Sequence, residues 1–295
     1  MNKMIAMTAA AGLLLAGTAI AGTVTVQSTG HTYTTIQDAI DNATANDTIS
    51  IGAGTYHESI NMDKPGTAFN GLTIKGDSFS TTIIDGSLTN PNPVISFAPY
   101  GTTDVNNEVV TFENLTIQHG AVAEAFGGGL YSTQTSHITM NNCHILFNEA
   151  CFGGGICMDS GMMTLVDCVV ESNQLSNLAP NCLCMTPGTK HGAGIYKSGG
   201  TLSLKGTTVC SNQCDGHQLS TEDQISSPWT DNGGNTIRMS CNGADVNLDG
   251  VIDIEDVRMV QASAGLCYTD NNGDGDIDID DLLNVIEDWG PNCSP

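Results

Sequence analysis

The sequence has few basic residues. Only eight of its 295 residues are Lys or Arg, against 32 Asp or Glu, and the formal net charge is −24. Nucleic-acid binding depends on Lys and Arg contacts to phosphate, so this composition argues against a nucleic-acid partner. Long apolar runs are also missing, because no stretch after residue 21 approaches the roughly 18 to 20 residues that span a membrane. We therefore predict no membrane span in the mature chain.

Cysteine is absent from the first 142 residues, and all eleven cysteines lie between Cys143 and Cys293. An odd number leaves at least one cysteine unpaired or bonded to another molecule, and the sequence does not give the pairing. Cys182 and Cys184 lie in the insertion 174–190. Their Cys-Leu-Cys spacing is not that of a zinc site, which favours a disulfide in this loop.

The first 21 residues have the pattern of a signal peptide. Lys3 supplies a positive start, Met4 to Ala16 are mostly apolar, and Ala19-Ile20-Ala21 is a small-x-small cleavage site. We expect cleavage between Ala21 and Gly22. The mature protein is then predicted to be secreted or held at the cell surface.

A repeat occupies the middle of the chain. Its copies read VTFENLTIQHG (110–120), ITMNNCHILFN (138–148), MTLVDCVVESN (163–173) and LSLKGTTVCSN (202–212). Apolar and polar residues alternate in each copy, as in half-buried strands. Three columns of residues are predicted to point inward: Phe112, Met140, Leu165 and Leu204; then Leu115, Cys143, Cys168 and Thr207; then Ile117, Ile145, Val170 and Val209. Buried columns are sufficient to explain Cys143 and Cys168 without a disulfide.

A glycine-rich marker accompanies the repeat: FGGGLY (126–131), FGGGIC (152–157) and HGAGIY (191–196). The unit is therefore about 25 residues long, with one insertion, and repeats of this length stack as solenoid coils. The pattern resembles that of right-handed parallel β-helix proteins, with glycine-rich, Asn-ended coils like those of bacterial surface β-helices. The resemblance implies an all-β right-handed parallel β-helix solenoid over residues 22–240.

The segment TIQDAIDNA (35–43) has apolar residues at helical spacing and predicts a short amphipathic helix. It resembles the N-terminal cap of β-helix carbohydrate enzymes, such as pectate lyases and pectin methylesterases, in which a helix covers the open end of the stack. At the other end, Trp229 is predicted to cover the core, with a sugar-stacking role as the alternative.

No recognisable catalytic motif follows this cap. The Asp-containing strand of pectin methylesterases and the paired Asp residues of polygalacturonases are missing, and no Arg precedes Arg238. Asp167 and Glu171 could form the carboxylate pair of a glycosidase. However, Asp167 occupies a bend position that Asn114 and Asn142 hold in other copies, which favours a role in the turn. His144 falls on an outward strand position and is predicted to be a solvated residue.

The last 55 residues contain two acidic loops, DVNLDGVIDIED (245–256) and DNNGDGDIDIDD (270–281). Both read D-x-N-x-D-G-x-I-D-x-x-D, which places oxygen ligands for Ca²⁺ at positions 1, 3, 5, 7, 9 and 12, with the main-chain carbonyl at position 7. The predicted ligands of the two sites are Asp245, Asn247, Asp249, Val251, Asp253 and Asp256, then Asp270, Asn272, Asp274, Asp276, Asp278 and Asp281.

Each loop is followed by a short apolar segment at helical spacing, and the duplicated unit is similar to the type I dockerin, a calcium module that binds a cohesin domain. The resemblance implies a small α-helical calcium-binding domain over 241–295 and a cohesin-like docking partner. The chain departs from the family at loop positions 10 and 11, which are Ile254-Glu255 and Ile279-Asp280 in place of Ser or Thr. A disulfide between Cys241 and Cys293 is a further hypothesis for this module.

Together these features predict a secreted protein that binds or presents to polysaccharide or cell-surface material and docks through its calcium module. The alternatives are a β-helix enzyme that degrades polysaccharide, either a lyase or a glycoside hydrolase, and an adhesin or structural surface protein. Whether the chain is an enzyme stays open at this point.

Overall fold

A computed structural model describes residues 22–62, 70–89, 91–97, 109–133, 137–176, 192–214, 217–218 and 224–238. Over these residues the chain forms 26 strands and one helix, and the strands belong to four sheets. Almost all strand pairs are parallel, as in a β-helix-like solenoid. In this part of the chain no helix is long and apolar enough to cross a membrane.

The two largest sheets have nine and seven strands. The nine-stranded sheet contains, in spatial order, β2 (His31–Tyr33), β1 (Val24–Val26), β3 (Thr48–Ile51), β6 (Leu72–Gly76), β9 (Val109–Glu113), β13 (His137–Asn141), β17 (Met162–Val166), β21 (Thr201–Lys205) and β25 (Thr230–Asp231). The seven-stranded sheet contains β26 (Thr236–Arg238), β22 (Thr208–Cys210), β18 (Val169–Glu171), β14 (His144–Leu146), β10 (Thr116–Gln118), β7 (Thr82–Asp85) and β4 (Gly54–Tyr56).

The other two sheets have five strands each. One contains β11 (Ala121–Phe126), β15 (Glu149–Phe152), β19 (Gln174–Leu175), β23 (Gln213–Cys214) and β24 (His217–Gln218). The other contains β20 (Ile195–Lys197), β16 (Ile156–Met158), β12 (Leu130–Ser132), β8 (Ile95–Ser96) and β5 (Ile60–Asn61). One coil visits all four sheets in turn, for example through β13, β14, β15 and β16, before β17 begins the next coil.

The inward columns predicted from the repeat are confirmed by the strand register. Met140 lies beside Phe112 on one side and Leu165 on the other, and Leu165 lies beside Leu204. All four side chains are fully buried.

The bends between the two largest sheets hold Asn114, Asn142, Asp167 and Gly206, each with φ between 51° and 58°. Asn and Gly are the residues that tolerate this left-handed backbone best, which explains the turn chemistry of the column.

A ladder of buried amides fixes the next corner of each coil. Asn148, Asn173 and Asn212 are fully buried and occupy the last position of successive repeats. The amide nitrogen of Asn173 donates to the carbonyl of Ile145 at 3.0 Å and to Oδ1 of Asn212 at 2.9 Å. Gln224 receives the last rung, at 2.8 Å from Asn212. The ladder satisfies corner backbone groups that would otherwise be buried without partners.

The predicted cap helix is confirmed as α1 (Ile36–Asn42), whose buried residues are Ile36, Ala39 and Ile40. Thr35 caps its N-terminus by accepting from the backbone N–H of Asp38 at 3.1 Å. The carboxylate of Glu58 accepts the N–H groups of Ile36 and Gln37 at 2.8 and 3.0 Å. Beside the helix, β1 pairs antiparallel with both β2 and β3, so the stack begins with a non-repetitive closure.

Trp229 packs partly buried against the core near the end of the stack, as predicted. Cys143 and Cys168 are buried free thiols, which confirms the ladder interpretation, and Cys157 is free as well. Cys151, Cys210 and Cys214 are disulfide-bonded. The signal peptide, Cys182, Cys184, the proposed Cys241–Cys293 bond and both predicted calcium loops lie outside the described residues.

Candidate functional site

The outer face of the nine-stranded sheet carries a regular column of hydroxyl groups. Neighbouring strands place one Ser or Thr side by side at each of seven consecutive rungs: Thr48, Thr73, Thr111, Thr139, Thr164, Ser203 and Thr230. Six of the seven are Thr, which is favoured in strands whatever the function. Strand preference therefore explains this column, and we do not assign it a site.

The outer face of the seven-stranded sheet is different. It brings together His57, Asp85, Gln118, His119, His144 and Glu171, with the rings of Phe79 and Phe147 beside them; we call this surface the histidine–carboxylate face. Among the described residues it is the surface where titratable groups and exposed aromatic rings occur together. We therefore treat it as the candidate site.

Asp85 forms the centre of the first cluster on this face. Its side chain is only 8% exposed, and it accepts from Gln118 Nε2 at 2.8 Å and from His119 Nδ1 at 3.0 Å. The backbone N–H of Ser87 donates at 2.8 Å, and His57 Nδ1 lies 3.7 Å away. Burial alone would raise the pKa of Asp85, but these hydrogen bonds outweigh it and hold the pKa well below its ordinary value.

The ionised Asp85 orients His119. Because the carboxylate only accepts, Nδ1 of His119 carries the proton, and Nε2 is left as an acceptor when the ring is neutral. The side chains of His119 and His57 are both 44% exposed. The cluster thus presents two accessible imidazoles around one buried charge.

The second cluster pairs His144 with Glu171, whose Nε2 and Oε1 atoms lie 2.7 Å apart. Their side chains are 22% and 24% exposed, so the prediction of a solvated His144 is wrong. The imidazole also meets the ring of Phe79 edge to face, at 6.0 Å between centroids. The hydrogen bond from His144 lowers the pKa of Glu171, burial opposes it, and the charge of His144 adds to the lowering.

The proposed carboxylate pair of Asp167 and Glu171 does not form. Asp167 lies exposed at its bend with φ at 52°, while Glu171 is bound to His144. Asp85 and Glu171 share the same outward column but are separated by Gln118 and Leu146. Three strand spacings of about 4.8 Å put their backbones on the order of 14 Å apart. Glycosidase carboxylates are roughly 5 to 10 Å apart, so this column does not supply that pair.

The ring of Phe147 lies beside the first cluster. It stacks on His119 with 5.8 Å between centroids and 12° between planes, and it is 54% exposed. Phe79, at 39%, is the other exposed aromatic among the large apolar residues on the described surface. Both exposed rings therefore contact a histidine, and each of these histidines is held by a carboxylate.

A row of aromatic rings at another corner has a different character. Phe126 stacks on Tyr131 at 5.7 Å and on Phe152 at 5.2 Å, and Phe152 meets Tyr196 at 5.1 Å. Three of these rings stack on one another, and Tyr196 meets Phe152 at a tilt of 48°. We interpret this row as packing between coils.

Two of the buried thiols, Cys143 and Cys157, are poor candidates for chemistry. Burial and the charge of Asp159 hold the pKa of Cys157 far above its usual range, which leaves it protonated and unreactive. A hydrogen bond with Cys168, together with burial, raises the pKa of Cys143. Over the described ranges, no group of three or more His, Cys, Asp or Glu side chains is arranged to hold a metal ion. The predicted calcium ligands lie outside those ranges.

Comparisons with protein-family models, with curated proteins and with solved structures found no match for this chain. The site is therefore argued from its own geometry. Sequence reasoning missed the histidine–carboxylate face because its members come from different repeats and have no fixed spacing. One signal was present: the corner position that holds Ser172 and Ser211 in later copies holds His119 and Phe147 in earlier ones.

Proposed function

We propose that this chain is an exported attachment protein that binds polysaccharide through the histidine–carboxylate face. The observation that supports the proposal is the placement of the two exposed rings, Phe79 and Phe147, beside carboxylate–imidazole pairs. A pyranose has apolar C–H faces that pack on aromatic rings, and hydroxyl groups around its edge that need hydrogen-bond partners. This surface offers both kinds of contact within a few residues. The fold proposed for it is the right-handed, pectate-lyase-like form of the parallel β-helix.

A polysaccharide-degrading enzyme is the second candidate, and the pairing of Asp85 with His119 favours it. A half-exposed imidazole held by a buried carboxylate is the arrangement of a general base. An attachment protein is preferred because the stacking of His119 on Phe147 also accounts for this pair. In an attachment protein the carboxylate and the imidazole serve to position the ring.

We further propose that residues 241–295 form a calcium-dependent docking module similar to a dockerin, with a cohesin-like partner. The support is the two matched loops, each with six predicted oxygen ligands. At an effective dielectric near 20, two charges about 4 Å apart repel by roughly 4 kcal/mol. Ca²⁺ would relieve this repulsion, so its binding is expected to drive folding of the module.

A panel of insoluble polysaccharides tests attachment. The purified mature chain is incubated with each in the presence of Ca²⁺, and both the bound protein and any released sugar are measured. Retention without product release is the expected result. Release of reducing sugar or of unsaturated product would instead establish the enzyme, and retention on none of the polysaccharides would refute both candidates.

Calcium removal tests the docking module in the same full-length protein. We expect chelator to lower the helical circular dichroism signal and to leave the strand signal in place. Asp249→Ala and Asp274→Ala should each remove one of two calcium-binding events measured by calorimetry. Thr139→Ala, on the outer face of the nine-stranded sheet, is the control and should retain both. Helical signal that survives chelation would contradict the proposed coupling of calcium to folding.

A further inference from the structure

We propose that Phe147 forms the platform of a single subsite for a neutral sugar ring, with Ser172 of the next coil beneath the ring. The inference deepens the proposed function and rests on it. It assigns the class of glycan and the residues that bind it.

The backbone at Phe147 has an unusual conformation for a bulky residue. Phe147 has φ at +54°, and the equivalent corner residues His119, Ser172 and Ser211 have φ between 53° and 57°. A bulky residue with this left-handed backbone is uncommon, and such conformations persist where the surrounding structure holds them, often at functional sites. The fold does not need an aromatic side chain at this corner, because the two later coils have serine at the equivalent position. Phe147 is also 54% exposed, so burial of its side chain does not explain it either.

The second observation is that the ring of Phe147 is fixed from behind. His119 lies against one face, with 12° between the ring planes. His119 is itself held by the buried carboxylate of Asp85, which also accepts from Gln118. A platform that is already rigid loses little conformational entropy when a ligand binds. The buried carboxylate of Asp85 thus helps to fix the ring of Phe147, and a turn with a purely structural role would not need this fixed ring.

The third observation is a step in side-chain size along this corner. His119 and Phe147 are large, while the next coil has Ser172 at the equivalent position. These residues share a left-handed φ, and the stacked rings of His119 and Phe147 leave the corner in the same direction. The face of Phe147 that points away from His119 therefore looks over a short serine, and the step forms a notch one coil wide.

Glu171 is the carboxylate that directly precedes the notch in the chain. It precedes Ser172, and it pairs in register with Leu146, which precedes Phe147. Its carboxylate is held by His144 at 2.7 Å and is 24% exposed, so a negative charge lies on this face close to the notch.

Charge selects the class of ligand. The carboxylate of Glu171 and the chain's net charge of −24 would repel a polyuronate. We therefore assign the subsite to a neutral glycan rather than to pectate.

Binding of the full-length protein to cellulose, xylan, mannan and polygalacturonate tests the subsite. Phe147→Ala should weaken binding to a neutral glycan about tenfold, while Phe147→Tyr should leave it within about twofold. Ser172→Phe should also block binding, because a new ring would fill the notch while Phe147 stays in place. Leu88→Ala is the matched control, since Leu88 is another exposed apolar residue, at 76%, and should bind like the wild type. Thermal unfolding of every variant separates loss of binding from loss of fold.

The results of these binding measurements separate failure of the subsite from failure of the proposed function. Wild-type binding that survives in folded Phe147→Ala and Ser172→Phe would overturn the subsite and leave the proposed function standing. Tighter binding to polygalacturonate than to any neutral glycan would overturn the assigned class. Absence of wild-type binding to all four polysaccharides would refute the proposed function together with the subsite.

Discussion

The inside of the solenoid repeats, and the outer face of the seven-stranded sheet does not. Inward columns place similar side chains in successive coils, as with Met140 and Leu165 in one column and Asn148 and Asn173 in another. The outward column of the seven-stranded sheet changes from Asp85 to Gln118, Leu146 and Glu171. Stacking needs regular neighbours, whereas recognition of a ligand needs different groups side by side. The departure from repetition therefore marks the candidate site.

The sharpest test of this contrast compares two adjacent residues. Leu165 is fully buried and Val166 lies on the outer face of the same strand. Leu165→Asp should cost at least about 4 kcal/mol in the free energy of unfolding, because it buries an unpaired charge and deletes core packing. Val166→Asp should change it by less than about 1 kcal/mol. Urea denaturation of both variants measures the difference, and similar tolerance of the two would refute the inside–outside assignment.

The amide ladder gives a second test, with a somewhat smaller effect. Asn173→Ala removes four hydrogen bonds, including one that it accepts from the backbone N–H of Asn148 at 3.0 Å. Buried groups left without partners cost about 1–3 kcal/mol each, so we expect a loss of about 3 kcal/mol.

The matched control for this test is Asn141→Ala on the outer face. Its side chain donates a long hydrogen bond to Glu113, at 3.4 Å, so a change within about 0.5 kcal/mol is expected. Equal effects of Asn173→Ala and Asn141→Ala would mean that the ladder contributes little beyond the turn itself.

The predictable part of the fold is the part that repeats. Alignment of the copies places Phe112, Met140, Leu165 and Leu204 in one column because each coil has the same neighbours, and the strand register confirms it. The cap helix was also predictable, from the spacing of Ile36, Ala39 and Ile40.

The candidate site was not predictable in the same way. His144 reads as an ordinary polar residue on an outward position, and only the register of β14 with β18 brings it to Glu171. His119 and Asp85 are 34 residues apart and meet because β7 and β10 are neighbours. Contacts between outward side chains of different coils depend on loop lengths and rotamers, which the repeat pattern does not specify. The calcium loops are the reverse case, in which a sequence motif is explicit and the structure described here does not include it.

The third test asks whether the outer face also contributes to stability, and its expected effect is the smallest. Asp85→Asn removes a charge that accepts from Ser87, Gln118 and His119, and hydrogen bonds to charged groups are worth about 1.5–3 kcal/mol each. An amide oxygen keeps part of this network, so we expect a loss of about 1–2 kcal/mol at neutral pH. Urea denaturation at several pH values, for both proteins, gives the comparison.

The pH dependence has a definite sign. The pKa of Asp85 is lower in the folded protein than in the unfolded chain, where it is near 4. On acidification the unfolded chain therefore takes up this proton first, and the stabilisation that Asp85 gives above that pH is progressively lost as the pH falls further. Asn does not titrate, so the difference in unfolding free energy between wild type and Asp85→Asn should shrink as the pH falls below about 4. A difference that stays constant to pH 3 would mean that Asp85 titrates alike in both states. In that case the contacts of Asp85 with His119 and Gln118 would not stabilise its ionised form. Asp85 would then not fix the His119 ring on which Phe147 stacks.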